Sequence, residues 1–250
     1  MLKVNVENIS LTDTGEKQPL LQNIDFEIHE GKIYTILGKN GTGKSTLIKS
    51  LTGLLSDNLF SINGSIHFDK QNLYSIDNDE LRKIRKEKIR YVFQDAVNSY
   101  DPLKTFEYYF KFSNAERENI ESLLDYFLLP GYNDISKLFP YEVSGGMAQR
   151  LSMVLAFAVN PKLIIFDEPT SGVDYAVANL LLLKLKDFTK KDNSIALMVT
   201  QDINFAEKVS DEIALLADGK LSSFSPVKEF FNRNDNETLN EFTNSYNEIR

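Results

Sequence analysis

Short runs of hydrophobic residues alternate with segments of helical periodicity along most of the chain. Seven runs have the length and composition of strands: residues 4–9, 24–28, 33–37, 90–93, 163–166, 195–200 and 213–217. Three longer segments have the apolar spacing of helices: residues 44–55, 145–159 and 175–189. Strands that alternate with helices predict an α/β fold with a mainly parallel sheet and helices on both faces.

Two parts of the pattern depart from this simple alternation. Asn63 and Gly64 lie between two short apolar runs and predict a hairpin turn, so we expect an antiparallel β part in the N-terminal region. Residues from about 95 to 140 are aromatic-rich and charged, with helical spacing, and we interpret them as a helical lobe inserted into the core. The predicted boundaries are 1–94 and 160–231 for the core, 95–159 for the lobe and 232–250 for a polar tail that is loosely helical or partly disordered.

The composition narrows the classes of function. Of the 250 residues, 42% are hydrophobic and 26% are charged, as in ordinary folded proteins. The formal net charge of -8 disfavours nucleic acid as a partner, because an acidic chain gains nothing from counterion release. The chain has no cysteine, which excludes disulfides and cysteine-based metal sites. No run approaches the ~20 apolar residues that span a bilayer, and residues 1–5 lack a signal-peptide core, so we expect any membrane role to come through a partner.

The apolar run 33–37 leads directly into a glycine-rich loop. Residues 38–46 match the phosphate-loop pattern of nucleoside triphosphatases, with the preceding strand and following helix that the pattern requires. Glycines allow backbone N–H groups to close on phosphate oxygens, and the start of the helix adds a partial positive charge. Lys44 can reach the β- and γ-phosphates, and the Ser45 hydroxyl can bind Mg²⁺. The predicted nucleotide-binding residues of the loop are Gly38, Lys39, Asn40, Gly41, Thr42, Gly43, Lys44, Ser45 and Thr46.

Two carboxylates follow the apolar run 163–166. Asp167 and Glu168 therefore lie at the carboxyl end of a predicted buried strand, where open α/β sheets bind their ligands. Asp167 is the expected partner of Mg²⁺, and Glu168 is the candidate general base for the attacking water. The alternative is a pair of solvated acids before a helix, but the phosphate loop upstream favours catalysis.

A second glycine-rich helix start lies further along the chain. Ser144 is a suitable N-cap, and Gly145 and Gly146 expose first-turn N–H groups to an anion. The alternative is a simple cap and turn. Because the first nucleotide already has its phosphate loop, this second start suggests contact with another nucleotide, held by another subunit.

Together these signatures resemble one family. The phosphate loop, residues 144–150 and residues 167–174 have the order and spacing of ABC-type nucleotide-binding subunits, and the resemblance covers about residues 2–231. It implies a P-loop NTPase core, ATP and Mg²⁺ as cofactors, and ATP hydrolysis that drives transport. In this family two subunits face each other head to tail, so that each ATP lies between one subunit's phosphate loop and the other's signature.

The resemblance also assigns individual roles. Gln94 is expected to sense Mg²⁺ and to connect the core with the helical lobe. The residues expected to contact the partner's ATP or to act across the dimer are Ser144, Gly145, Gly146, Gln149 and Asp174. The expected catalytic residues are Glu168, Gln201 and Gln94. The expected Mg²⁺ ligands are Ser45, Gln94 and Asp167.

Three departures from the family pattern stand out. Gln201 occupies the position of a histidine that usually follows the strand 195–200. A glutamine amide can donate a hydrogen bond but carries no proton or charge near neutral pH, so we expect slow or conditional hydrolysis at this chain's own site. Residues 11–14 lack the aromatic ring that usually stacks on adenine, and Val143 replaces a leucine.

Further resemblance concerns the partners. Residues 93–102 and 139–147 are similar to segments of oligopeptide, dipeptide and nickel importer subunits. They imply import of a peptide, a metal or a similar small solute, with a second ATPase subunit, identical or different, and a solute-binding protein. The helical lobe would bind transmembrane permease subunits, at the cytoplasmic face of the inner membrane. The aromatic residues of the lobe between 106 and 112 would then form either a partner groove or part of the lobe core.

Two other functions stay open on the sequence. A soluble ABC ATPase of DNA repair, chromosome organisation or ribosome work is disfavoured, because the chain has no sustained heptads and a single phosphate loop. A nucleotide-gated module that dimerises on ATP and hydrolyses little is favoured by Gln201 and opposed by Glu168, which keeps the catalytic carboxylate.

Overall fold

A computed structural model gives the fold, and residues 1–12, 19–191 and 193–232 are described. The strands are β1 (Leu2–Leu11), β2 (Pro19–Ile28), β3 (Ile33–Leu37), β4 (Phe60–Phe68), β5 (Gln71–Asn72), β6 (Ile89–Val92), β7 (Leu163–Asp167), β8 (Ile195–Thr200), β9 (Glu212–Ala217), β10 (Lys220–Leu221) and β11 (Ser225–Pro226). The helices are α1 (Lys44–Ser50), α2 (Asn78–Glu87), α3 (Phe106–Ser113), α4 (Arg117–Tyr126), α5 (Tyr132–Ile135), α6 (Gly145–Phe157), α7 (Tyr175–Lys191), α8 (Ile203–Val209) and α9 (Val227–Asn232). The expectation for the tail 232–250 lies outside the described residues, apart from Asn232.

The strands form two sheets, one antiparallel and N-terminal and one mainly parallel, as predicted. The first is antiparallel with the order β2-β1-β4-β5, and the second has the order β10-β9-β3-β8-β7-β6, with β11 on β9. Strands β6, β7, β8, β3 and β9 run parallel. Strands β3, β7 and β8 are buried along their whole length, as expected for a parallel sheet that is covered on both faces. The fold class predicted from the sequence is confirmed.

The hairpin predicted at Asn63 and Gly64 is wrong. Both residues lie inside β4, a continuous strand that pairs with β1. The register shifts where Val6 faces Gly64 and Asn8 faces Asn63, so β1 carries one extra residue, a β-bulge. Gly64 has φ +130°, and a Cβ there would lie 2.3 Å from the carbonyl oxygen of Asn5. The glycine therefore allows a close approach of two backbones rather than a chain reversal.

The first helix is shorter than its apolar pattern predicts. α1 ends at Ser50 instead of residue 55, and the chain turns at Gly53 with φ +61°. Later side chains bind the carbonyls at and just after the end of the helix: Tyr74 donates to Ser50, and Arg85 donates to Thr52 and Gly53. Long-range hydrogen bonds thus end α1, which a local pattern does not reveal.

The helices α3 to α6 pack around a core of their own aromatic side chains. Phe106, Phe110, Phe127 and Phe157 are buried, and they belong to one hydrophobic cluster that also includes side chains of β6, β7 and β8. Tyr108 and Phe112, from the same aromatic run, are exposed. The aromatic run is therefore partly in the core and partly on the surface.

Among the described residues, no helix is long and apolar enough to cross a membrane.

Candidate nucleotide-binding site

The loop between β3 and α1 has the backbone conformation that its glycines permit. Gly41 has φ +81° and Gly43 has φ +93°, and no side chain caps the start of α1. A Cβ at Gly38 would lie 2.7 Å from the carbonyl oxygen of Leu216, so the loop passes close to β9. The first N–H groups of α1 are left without a side-chain acceptor, and such a helix start suits a phosphate.

Lys44 is the first residue of α1 and is buried. Its Nζ donates to the carbonyl oxygens of Gly38 at 2.8 Å and Lys39 at 3.1 Å. The same ammonium lies 3.2 Å from Glu168 Oε1. The lysine therefore connects the two ends of the loop with the carboxylate that follows β7.

Asp167 is the last residue of β7 and lies almost fully buried beside the loop. Ser45 Oγ donates to its Oδ1 at 2.9 Å, and the Tyr91 hydroxyl donates to its Oδ2 at 3.0 Å. Burial raises the pKa of Asp167, while the two hydroxyl donors and the charge of Lys49 act in the opposite direction. Burial likewise raises the pKa of Tyr91, with the nearby Asp167 charge adding to it. Asp167 thus has one hydroxyl donor on each carboxylate oxygen.

Glu168 follows in a left-handed backbone conformation, with φ +46°. Its Oε2 accepts hydrogen bonds from Thr200 Oγ1 at 2.8 Å and from the backbone N–H of Gln201 at 3.1 Å. A glutamate in this region of φ is strained, and such strain concentrates at functional sites. The end of β8 therefore fixes the orientation of the carboxylate that follows β7.

Gln94 and Gln201 approach the same region from two other segments. Gln94, just after β6, lines a cavity of about 440 Å³ together with Ser45 and Asp167. The structure brings these three predicted Mg²⁺ ligands to one cavity. The Gln201 side chain is exposed, and its backbone N–H, rather than its amide, contacts Glu168.

The second glycine-rich segment begins α6, in the helical lobe. Ser144 is the N-cap and accepts from the Met147 N–H at 3.2 Å, as predicted for this position. A Cβ built at Gly146 would lie 3.5 Å from the carbonyl oxygen of Gly172, and one at Gly145 would have no heavy atom within 4 Å. The start of α6 is therefore open at Gly145 and adjoins the segment that leads to Asp174.

Asp174 and Gln149, two further predicted residues, differ in their surroundings. Asp174 Oδ1 accepts from the Val177 N–H at 2.9 Å, so it caps the start of α7. Gln149 is 3% exposed, and its Nε2 has no hydrogen-bond partner among the described residues.

The stretch 11–14, which lacks an aromatic ring to stack on adenine, is described only in part. Leu11 and Thr12 are described, whereas Asp13 and Thr14 lie outside the described residues.

Sequence reasoning missed Tyr91 and Thr200. Each holds a carboxylate that the sequence did single out, Asp167 and Glu168 respectively. Tyr91 lies on β6, where it pairs with Ile165 of β7. Thr200 is the last residue of β8, the strand on the other side of β7. A correct strand order would have indicated both, because the carboxyl ends of neighbouring parallel strands lie together.

These features define a P-loop nucleoside triphosphatase: a glycine loop between strand and helix, with a buried lysine and a pair of carboxylates at the end of a parallel strand. Comparison with known proteins gives the family. The model of the ABC transporter family matches residues 21–171, and the chain belongs to this family as an ATP-binding subunit, whose general activity is ATP hydrolysis.

Relatives and solved structures agree with this assignment. The chain is 32% identical over 230 residues to the metal-staphylopine import system ATP-binding protein CntD of Staphylococcus aureus, covering 88% of this chain and 84% of that protein. It is 29% identical to the oligopeptide transport ATP-binding protein OppD of Lactococcus lactis, over 92% of this chain and 71% of that protein. The dimeric ABC transporter cassette MJ0796 superposes with a TM-score of 0.78 at 28% identity, over 91% of this chain and 99% of that one.

Proposed function

We propose that this chain hydrolyses ATP within a head-to-tail dimer of cassettes and thereby drives import through separate membrane subunits. The observation that carries the proposal is the convergence of Lys44, Ser45, Asp167 and Glu168 at one edge of the parallel sheet. In this proposal, residues 38–46 bind the phosphates of ATP. Lys44 neutralises charge on the β- and γ-phosphates, because its ammonium is bonded to carbonyl oxygens of that loop.

The residues around Asp167 suit Mg²⁺. Ser45, Gln94 and Asp167 offer a hydroxyl, an amide oxygen and a carboxylate around one cavity, and oxygen donors are the ligands that Mg²⁺ prefers. When bound, the ion would neutralise charge on the β- and γ-phosphates. Tyr91 orients Asp167 from the other side, and we assign it a positioning role.

Glu168 is the proposed general base. The hydrogen bonds from Thr200 and the Gln201 N–H hold Oε2 in place. Oε1, which contacts Lys44, is then the oxygen that would instead bind the water that attacks the γ-phosphate. Gln201 can donate a hydrogen bond to the γ-phosphate but cannot carry positive charge there. We therefore propose slow or conditional turnover at the site formed by this chain's own loop.

The other half of the site comes from a second cassette, identical or different. Ser144, Gly145 and Gly146 present the open start of α6, and in the proposed dimer they contact the γ-phosphate of the partner's ATP. We assign Gln149, which is buried within α6, to the same contact, and Asp174 to a role across the interface from its cap on α7.

The transported solute is proposed from the relatives. Proteins named for metal-staphylopine import and for oligopeptide transport match almost the whole chain, so we propose import of a peptide, a metal complex or a similar small solute. Permease subunits would bind at the helical lobe and place the chain at the cytoplasmic face of the inner membrane. A solute-binding protein outside the membrane would complete the system.

Turnover of ATP by the purified chain, alone and with its copurifying partner, tests the proposal. Glu168→Gln should lower turnover at least ~100-fold while nucleotide binding persists, since general base catalysis contributes about that much. The exposed Glu118→Gln is the matched control and should turn over like the unchanged chain.

A different result would favour the second candidate function, a nucleotide-gated clamp. Gln201 is the observation that keeps this candidate open. Turnover that requires the partner and survives in Glu168→Gln would assign hydrolysis to the partner's phosphate loop. This chain's own site would then serve to hold ATP.

A further inference from the structure

Arg90 on β6 carries a charge that the described part of the chain does not balance. Its Nε and Nη2 are shielded from solvent and have no hydrogen-bond partner among the described residues. Burial lowers the pKa of Arg90, and no carboxylate of the described residues opposes this effect. A guanidinium stays protonated at neutral pH in proteins, so the positive charge remains. An unpaired, partly buried charge is costly, so a partner from outside the described part of the chain would stabilise it.

Arg90 lines a pocket of about 350 Å³ between β6, α3 and α6. Aromatic side chains line much of it, among them Phe93, Tyr100 and Phe112. Among the described residues that line the pocket, none is acidic. The Tyr100 hydroxyl and Ser152 Oγ are 2.7 Å apart and bond to each other, so they do not serve the guanidinium.

The rim of the pocket adds positive charge and exposed apolar surface. Lys86 Nζ lies 4.8 Å from the centre of the Phe112 ring, and Lys104 Nζ lies 5.2 Å from the Tyr108 ring. Phe112 is 53% exposed and Leu103 is 81% exposed. The two lysines and the exposed rings thus border the pocket on a chain whose formal net charge is -8. Such rings with a buried cation are typical of the anchor region of a protein interface.

We propose that Arg90 receives an Asp or Glu side chain of the membrane subunit, inserted between β6, α3 and α6. The inference rests on the proposed function, because it takes the membrane subunit as the occupant. A carboxylate matches the planar fork of a guanidinium and provides the missing charge. Apolar neighbours of that acidic residue would cover Phe112, Tyr108 and Leu103. Arg90 is then the residue that selects the partner by charge at this surface.

Two opposite effects of Arg90→Met test the assignment. In the isolated chain the variant should keep or raise Tm, because it removes an uncompensated buried charge. Its affinity for the membrane subunits that copurify with the unchanged chain, stripped of their own ATPase subunits, should fall roughly 30-fold or more. Arg82→Met, on the exposed face of α2, is the matched control and should change neither quantity.

Chemical cross-linking identifies the acidic residue itself. In the full complex of the Arg90→Lys variant, a carbodiimide should join the new amine to a carboxyl group of the membrane subunit as an amide, with the reagent taking up the water that is lost. Mass spectrometry would then locate the modified Asp or Glu. Arg117→Lys is the positive control, since Arg117 lies 2.8 Å from Glu121 and should give a link within the chain.

The outcomes separate this inference from the proposed function. If the chain binds no membrane subunit at all, the proposed function fails and the inference fails with it. If Arg90→Met binds the membrane subunits as tightly as the unchanged chain, or if Tm of the isolated variant falls by several degrees, Arg90 has no carboxylate partner there and the inference alone is overturned. A complex of Arg90→Lys that yields the control link but no link to another subunit also overturns it.

Discussion

Lys44 and Glu168 form an ion pair across the nucleotide site, with Nζ 3.2 Å from Oε1 and side-chain exposures of 6% and 10%. The carboxylate's other oxygen is held by Thr200 and the Gln201 N–H. Lys44, the proposed phosphate-binding residue, is therefore already paired with Glu168, the proposed general base. Nucleotide binding has to replace Glu168 as the partner of Lys44, and this exchange would free the proposed base.

Replacing Gln201 with histidine should raise turnover at this site. The imidazole can carry positive charge towards the γ-phosphate, which the amide cannot do, and one well-placed donor of this kind is worth about 10-fold or more in kcat. The measurement is kcat of the purified dimer for the unchanged chain and for Gln201→His.

Gln201→Ala is the control, because it removes the side chain and keeps the backbone N–H that binds Glu168. We expect its kcat to be at or below that of the unchanged chain. Equal kcat for all three proteins would show that the side chain at position 201 takes no part in hydrolysis.

Asp167→Asn should stabilise the chain while weakening Mg²⁺-dependent ATP binding. Burial raises the pKa of Asp167 above its unfolded value, so its contribution to stability is fully present below the unfolded pKa and is lost as pH rises through the folded pKa. At pH 7 the neutral amide of Asn avoids the cost of burying an ionised carboxylate. We therefore expect the free energy of unfolding to rise by about 1 kcal/mol, or Tm by about 2–4 °C.

The pH dependence gives this prediction its check. As pH falls through the folded pKa, the carboxyl of the unchanged chain becomes protonated, and the difference in Tm should shrink towards zero. The exposed Asp125→Asn is the control and should show no such trend. An advantage of Asp167→Asn that is constant with pH would mean that ionisation of Asp167 is not its cause.

Arg85→Ala should destabilise the chain through the end of α1. Arg85 Nε donates to the Thr52 carbonyl at 2.7 Å, and its Nη2 donates to Gly53. Loss of a charged donor from part-buried carbonyls costs about 2 kcal/mol, or roughly 4–8 °C in Tm for a chain of this length. Differential scanning calorimetry would measure it.

Arg82→Ala on the same helix is the control for Arg85→Ala. The Arg82 side chain is 76% exposed and lies 3.4 Å from Asp79, which is 92% exposed, so its loss should shift Tm by much less. Similar shifts for the two variants would show that the hydrogen bonds to the end of α1 contribute little.

The sequence was sufficient for the elements whose signals are local. The buried strands β3, β7 and β8 and the loop between β3 and α1 follow from short apolar runs and from a motif with its own strand and helix. Asp167 and Glu168 could be assigned to the nucleotide site because they directly follow a buried strand. In each case the information lies within about ten residues.

What the sequence could not give depends on contacts between distant segments. Tyr91 holds Asp167 from a strand 76 positions away, and Arg85 ends α1 across more than 30 positions. Neither residue belongs to a motif, and in sequence each looks like any residue of an exposed helix or a strand. Arg90 likewise looks unremarkable in sequence, and its unpaired burial emerges only once α3 and α6 are packed beside β6.

The strand that contains Gly64 supplies the last prediction. Asn-Gly between apolar runs normally favours a hairpin, but here β1 and β4 pair on both sides of Gly64, and its backbone lies against Asn5. Gly64→Ala would place a Cβ 2.3 Å from the Asn5 carbonyl oxygen at φ +130°, which an L-residue rarely adopts. We expect a loss of at least about 2 kcal/mol, since strain and a backbone clash add. Gly131→Ala is the control, because a Cβ there meets nothing within 4 Å, and its Tm should stay close to that of the unchanged chain. If urea unfolding gave the two variants equal stability, the bulge would be able to shift by one residue, and the register of β1 against β4 would be set by other contacts.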